Sequence, residues 1–83
     1  PLRVSGYRVY RYALPLVAPV RVGAGVLRRR EGLLVRLEAG GASGWGEAAP
    51  LPGFSRETLG EAARTLREAK PRILGRELQE ATI

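Results

Sequence analysis

The sequence predicts an α+β domain in which a three-stranded antiparallel β-meander is followed by helices. In the first half, apolar and aromatic residues alternate with polar ones in short segments, which is typical of half-buried strands. In the second half, apolar residues recur every three or four positions, which is the spacing of one helix face. The 83 residues suffice for one small domain with a thin core.

Three strands account for the first half. The first is predicted over residues 3–16, with tyrosines at alternate positions on one face, and the second over residues 32–38. A glycine pair at 40–41 supplies the tight turn into the third strand, residues 44–48. That strand carries Trp45, which we expect in the core.

The segment 17–30 between the first two strands has no sustained period and contains Pro19, Gly23 and Gly25. We expect a long loop here, and loops of this length are often functional. The residues leave two interpretations open: a mobile hairpin loop or a lid over a site.

A rigid loop with two prolines leads into the helix, which is predicted over residues 55–69. Ser55 is the expected N-cap, with Phe54 before it as one half of a hydrophobic staple. Pro71 disfavours helix at the residue before it and is expected to end the helix. Residues 72–83 are predicted to form a connector and a short helix.

Composition limits the chemistry that this chain can perform. It has no cysteine, histidine or aspartate and one lysine, Lys70, so the residues most used in acid–base catalysis are scarce.

The net charge of +6 comes from basic residues spread along the chain, which favours a solvated surface over a nucleic-acid interface. No segment resembles a membrane span or signal peptide, and we expect a cytoplasmic protein without nucleic-acid or membrane partners. Since the chain opens with Pro1, we expect it to be processed or cut from something longer.

One stretch carries a specific resemblance. Residues 44–58 read Gly-Trp-Gly-Glu-Ala-Ala-Pro-Leu-Pro-Gly-Phe-Ser-Arg-Glu-Thr, which resembles the N-terminal capping-domain motif of the o-succinylbenzoate synthases of the enolase superfamily. Residues 29–37 resemble the second strand of that domain and residues 10–16 its first. The resemblance covers nearly all 83 residues.

This resemblance implies that the chain is the capping domain, residues 1–83, of a longer lyase whose modified (β/α) barrel is missing here. The barrel would hold the catalytic lysines and Mg²⁺, and the substrate would be the carboxylate 2-succinyl-6-hydroxy-2,4-cyclohexadiene-1-carboxylate. Dehydration through a metal-stabilised enediolate would then serve menaquinone synthesis. The alternatives are an N-acylamino-acid racemase or dipeptide epimerase of the same superfamily, and a stand-alone basic binding module. The oligomeric state stays open.

The resemblance also implies two loops that fold over the mouth of the barrel and contact substrate. No catalytic or metal-binding residue carries over to this chain. The expected substrate-binding residues are those of the proline-rich loop and of the long first loop, namely Leu51, Pro52, Gly53, Phe54, Arg21, Gly23 and Val26. For Phe54 the alternative is a purely structural role beside the helix, and for Pro52 and Gly53 it is a simple chain turn.

Overall fold

The computed structural model describes residues 2–23, 25–52 and 55–79. The elements follow in the order β1 (Leu2–Val22), β2 (Gly25–Ala39), β3 (Ala42–Ala48), α1 (Leu59–Ile73) and β4 (Glu77–Leu78). All strands join one antiparallel sheet of order β3-β2-β1-β4. The fold is α+β as predicted, with four strands where the sequence predicted three.

The first two strands are much longer than predicted, because most of the segment 17–30 is paired rather than a loop. After a register break, β1 and β2 pair again at three positions, Val20 with Leu27, Arg21 with Val26 and Val22 with Gly25. Valine favours extended backbone, and Gly23 supplies a positive φ of 48° at the turn. The radius of gyration is 15.9 Å, against about 12 Å for a compact chain of this length, because this hairpin lengthens the molecule.

The glycine turn between β2 and β3 is present as predicted. Gly40 and Gly41 have φ values of 57° and 78°, which are the left-handed values that a tight hairpin turn requires at both central positions. The ladder beyond the turn runs from the pair Ala39–Ala42 to the pair Leu33–Ala48.

Helix α1 covers one face of the sheet, and the four buried apolar residues of the described chain lie there. Val4, Tyr7, Leu33 and Ala62 are each 2–4% exposed. The Tyr7 hydroxyl donates a hydrogen bond to the Leu66 carbonyl, which ties β1 to the helix. The core is therefore thin, as the chain length predicts.

The opposite side of the sheet, here called the open face, has no covering element among the described residues. Trp45 lies on it and is 59% exposed, so the expectation of a core tryptophan is wrong. Its ring meets that of Tyr10 at a centroid distance of 5.8 Å and the Arg36 guanidinium at 5.7 Å. By the strand registers, the same face carries Tyr10, Tyr12, Arg30, Gly32, Leu34, Arg36, Trp45 and Glu47.

The helix begins later and ends later than predicted. Its N-cap is Thr58 rather than Ser55: the Thr58 hydroxyl accepts the Glu61 N–H, and the Glu61 carboxylate accepts the Thr58 N–H, which makes a capping box. At the other end α1 continues through Pro71 to Ile73. The Lys70 carbonyl accepts the Leu74 N–H at 2.8 Å, and Gly75 with φ of 86° ends the turn.

Within residues 72–83, where a connector and a short helix are predicted, the structure has a short strand at Glu77–Leu78. In β4, Glu77 and Leu78 pair with Arg3 and Leu2. The Val4 N–H donates to the Arg76 carbonyl at 2.8 Å. The edge of β1 therefore supplies hydrogen-bond partners to backbone groups of this segment, which in a helix would bond to one another. Residues 80–83 lie outside the described part. Within that part, no helix combines the length and the apolar character that crossing a membrane requires.

Candidate pocket-forming loops

Residues 49–58 join β3 to α1, and the first part of this segment, residues 49–55, is here called the proline loop. Its described ends close on each other: the Ser55 N–H donates to the Leu51 carbonyl at 2.9 Å, and the Leu51 N–H donates to the Ser55 hydroxyl at 2.8 Å. Ser55 therefore closes the loop instead of capping the helix. Gly53 and Phe54, including the staple expected of Phe54, lie outside the described residues.

Arg30 on β2 holds the start of the proline loop. Its Nη2 donates to the Ala49 carbonyl at 2.5 Å, and its Nη1 lies 3.5 Å from the Pro50 carbonyl, a long contact. The side chain is half-buried. The spacing of the basic residues along the sequence predicts a solvated surface, and this prediction missed the contact of Arg30, the third member of the arginine triplet 28–30.

A second contact joins β1 to β3 across the open face. The Tyr12 hydroxyl donates to Oε2 of Glu47 at 2.9 Å. This hydrogen bond, with some desolvation and the negative charge of Glu47, raises the pKa of Tyr12, while the positive charge of Arg30 opposes the shift. The Tyr12 ring lies over Gly32, which has no Cβ to obstruct it.

The proline loop, β2 and the start of α1 enclose a cavity of about 260 Å³. Two arginines and two glutamates give its lining mixed charge, and leucine and proline side chains supply the apolar part. Its lining residues are Leu27, Arg29, Arg30, Glu31, Pro50, Pro52, Ser55, Glu57, Thr58 and Leu59.

The expected substrate-binding residues separate into two places. Pro52 lines the cavity, and Leu51 is half-buried in the same loop. Arg21 and Val26 are exposed partners across the far end of the β1–β2 hairpin, and Gly23 forms its turn. Leu27, on β2 between these two places, was not predicted from sequence.

The Mg²⁺ that the resemblance implies has no ligand cluster in the described part of the chain. Among the described residues, no group of three or more acidic, histidine or cysteine side chains is placed to bind a metal ion. The carboxylate of Glu47, at the end of β3 before the proline loop, accepts the Tyr12 hydroxyl.

The fold is similar to that of two solved structures. One is a substrate-liganded complex of the L-Ala-D/L-Glu epimerase from Bacillus subtilis, with a TM-score of 0.79 and 27% identity over 92% of this chain and 22% of that one. The other, an enolase-superfamily member from Roseovarius nubinhibens ISM, has a TM-score of 0.79 and 23% identity over 93% of this chain and 22% of its own. The fold is therefore that of an enolase-superfamily N-terminal domain.

Sequence comparison identifies the family more closely. The family model described as MenC, N-terminal domain, matches residues 4–82, and the chain belongs to this family. It is 48% identical over 71 residues to the o-succinylbenzoate synthase of Yersinia enterocolitica and 53% identical over 66 residues to that of Edwardsiella ictaluri. These matches cover 84% and 80% of this chain but 22% and 19% of the relatives. The chain thus spans about a fifth of the length of the curated relatives it matches.

Proposed function

We propose that this chain is the substrate-specificity lid of an o-succinylbenzoate synthase. The single observation that carries the proposal is the cavity. Pro50 and Pro52, from the sequence motif that resembles this family, line one side of it, and Leu27 and Arg29, from the β1–β2 hairpin, line the other. Two chain segments that are far apart in sequence thereby form the two walls of one pocket. Such a wall excludes water from a reacting centre when it closes over it.

The reaction we propose for the parent enzyme is dehydration of 2-succinyl-6-hydroxy-2,4-cyclohexadiene-1-carboxylate. A base removes the proton α to the carboxylate, hydroxide leaves, and the ring becomes aromatic. With Lys70 as the one lysine and no aspartate or histidine in the sequence, the groups that move these protons belong to the barrel that we propose as this chain's partner. This chain would contribute the pocket wall for the distal part of the substrate.

The direct test is a steady-state assay of the parent polypeptide with this substrate. We expect o-succinylbenzoate to form, and we expect the 83-residue chain alone to give no turnover. Replacement of Pro52 by alanine alters the cavity wall and should raise KM several-fold while kcat changes little, because the lid binds substrate without reacting with it. Pro71→Ala is the matched control, since Pro71 is exposed on α1 and is not a cavity residue. An effect of equal size in both variants would contradict the pocket assignment.

The second candidate is an N-acylamino-acid racemase or dipeptide epimerase, favoured by the similarity to the Bacillus subtilis epimerase. The same parent polypeptide should be assayed with an N-acylamino acid and with L-Ala-L-Glu. Racemisation or epimerisation without dehydration would replace the first proposal. A basic binding module would instead show nucleic-acid association that weakens steeply with salt, and we expect none.

A further inference from the structure

The proline loop leaves the sheet at a point where ordinary strand pairing stops. The last pair between β2 and β3 joins Leu33 to Ala48, so continued pairing would place Ala49 opposite Gly32 and Pro50 opposite Glu31. Proline has no N–H, and Pro50 and Pro52 therefore cannot donate to a ladder. The loop needs another donor to keep a fixed orientation relative to β2.

Arg30 supplies that donor. Its guanidinium reaches the Ala49 carbonyl at 2.5 Å and approaches the Pro50 carbonyl at 3.5 Å, across 19 and 20 residues of sequence. A charged donor makes a stronger hydrogen bond than a neutral amide, and the planar guanidinium can present two N–H groups in one fixed geometry. The half-buried position of the side chain limits competition from water.

The remainder of the loop depends on this attachment. The two hydrogen bonds between Leu51 and Ser55 close the loop on itself, but they lie at the surface, where water competes for their donors and acceptors, so they protect the two amides fully only while Arg30 holds the loop against the sheet. Arg30 lies on β2 three residues after Leu27 and therefore links the proline loop to the base of the hairpin, the other wall of the cavity.

We propose that Arg30 is a positioning residue that holds the proline loop against the β1–β2 hairpin, so that the two walls of the pocket act as one unit. The inference rests on the proposed lid function for its catalytic consequence, but not for its structural one. Arg30 acts through the loop and need not touch substrate.

The test uses the parent polypeptide with Arg30→Gln and Arg30→Lys, and Arg28→Gln as the matched control. Arg28 belongs to the same arginine triplet and is exposed. Two readouts are compared: hydrogen exchange of the Leu51 and Ser55 amides, and KM against kcat for the proposed substrate.

We expect Arg30→Gln to speed exchange at both loop amides by roughly tenfold, which corresponds to the loss of one typical hydrogen bond. Exchange at Val35, in the middle of β2, should not change. KM should rise by a similar factor with kcat within about twofold. Arg30→Lys keeps the positive charge but lacks the planar guanidinium with its two N–H groups. Its exchange rates and its KM should therefore fall between those of Arg30→Gln and those of the protein without substitutions.

Unchanged exchange at Leu51 and Ser55 in a folded Arg30→Gln protein would overturn the proposal, as would equal effects in Arg28→Gln. If Arg30→Gln does not fold, Arg30→Lys decides, and exchange identical to the unchanged protein overturns the proposal. The proposed lid function fails separately, if the parent polypeptide without any substitution makes no o-succinylbenzoate. The hydrogen-exchange comparison would still test whether Arg30 positions the loop.

Discussion

Replacement of Gly32 by alanine tests the packing of the open face most directly. A Cβ on Gly32 would lie 2.3 Å from the hydroxyl oxygen of Tyr12, 2.5 Å from its Cζ and 2.7 Å from its Cε2. Favourable contacts between carbon atoms begin near 3.5 Å. The ring must therefore move by about 1 Å, and this movement breaks the hydrogen bond to Glu47.

The size of the effect follows from two opposing contributions. Placing an extra methyl group in occupied space costs about 1–3 kcal/mol, and we take the lower part of that range, about 1.5–2 kcal/mol, because the atoms it meets are the outer end of the Tyr12 side chain, which can shift. Alanine in place of glycine restricts the unfolded chain and recovers about 0.4–1 kcal/mol. We expect Gly32→Ala to lower the free energy of unfolding by about 1 kcal/mol.

Gly46→Ala is the matched control, because Gly46 lies in β3 of the same sheet and a Cβ there would meet no atom within 4 Å. It should be neutral or stabilising by up to about 1 kcal/mol. Urea unfolding can be followed by the fluorescence of Trp45, the only tryptophan. In a Tyr12→Leu background the cost of Gly32→Ala should disappear. Equal midpoints for Gly32→Ala and Gly46→Ala would refute the reasoning, since the Tyr12 ring would then not occupy this space.

Three further expectations follow from the caps, the turn and the tyrosines. Thr58→Ala should destabilise α1 by about 1 kcal/mol, measured by far-ultraviolet circular dichroism on heating. Ser55→Ala should leave the helix signal intact, and a larger effect of Ser55→Ala than of Thr58→Ala would contradict Thr58 as the N-cap. Gly41→Ala should lower the free energy of unfolding in urea by about 1 kcal/mol because the φ of Gly41 is 78°, and Gly41→Asn should lower it less. Equal losses in the two variants would argue against a left-handed turn. Because the pKa values of Tyr7 and Tyr12 are raised in the folded state, the unfolded chain loses these protons first. The contribution of these two tyrosines to stability should therefore be constant below about pH 10 and fall above it. Tyr12→Phe should remove part of that fall, and a urea midpoint that rises above that pH would refute the sign.

Local patterns predicted the regular elements well where nothing competed with them. Alternation placed the centres of β1, β2 and β3, and the glycine pair placed the turn at residues 40–41. The helix limits were missed because two signals of equal chemical quality compete: Ser55 and Thr58 are both good N-caps, and only the loop geometry shows that Ser55 is occupied by Leu51. Pro71 disfavours but does not forbid helix at Lys70, and α1 continues to Ile73.

The candidate site could be predicted only in part. The motif at residues 44–58 indicated which loop matters, but not what holds it. Arg30 could have been placed on the open face by counting strand positions, since it shares that face with Gly32 and Leu34. Its partner lies 19 residues further on, however, and no periodicity in the sequence reports a contact between a strand side chain and the backbone of a later loop.

We expect the hairpin to be weakest at the register break and not at the glycines near its end. The segment from Leu16 to Pro19 stands opposite the single residue Arg28, and Pro15 and Pro19, which bound the break, cannot donate ladder hydrogen bonds. Beyond the break the strands are paired up to Val22 and Gly25. The end of the hairpin would therefore bend as one paired ribbon about a point two residues from Arg30.

This bending point can be measured by hydrogen exchange. The amides of Val17 and Ala18, inside the break, should exchange faster than those of Arg21 and Leu27 beyond it. A flexible loop that opens at its terminal glycines gives the opposite order, with the fastest exchange at the tip and gradual protection toward the sheet. Equal protection of the amides of Leu16, Val17 and Ala18 and of those at residues 20–22 would mean that the break does not weaken the hairpin, and the ribbon would then have no preferred place to bend.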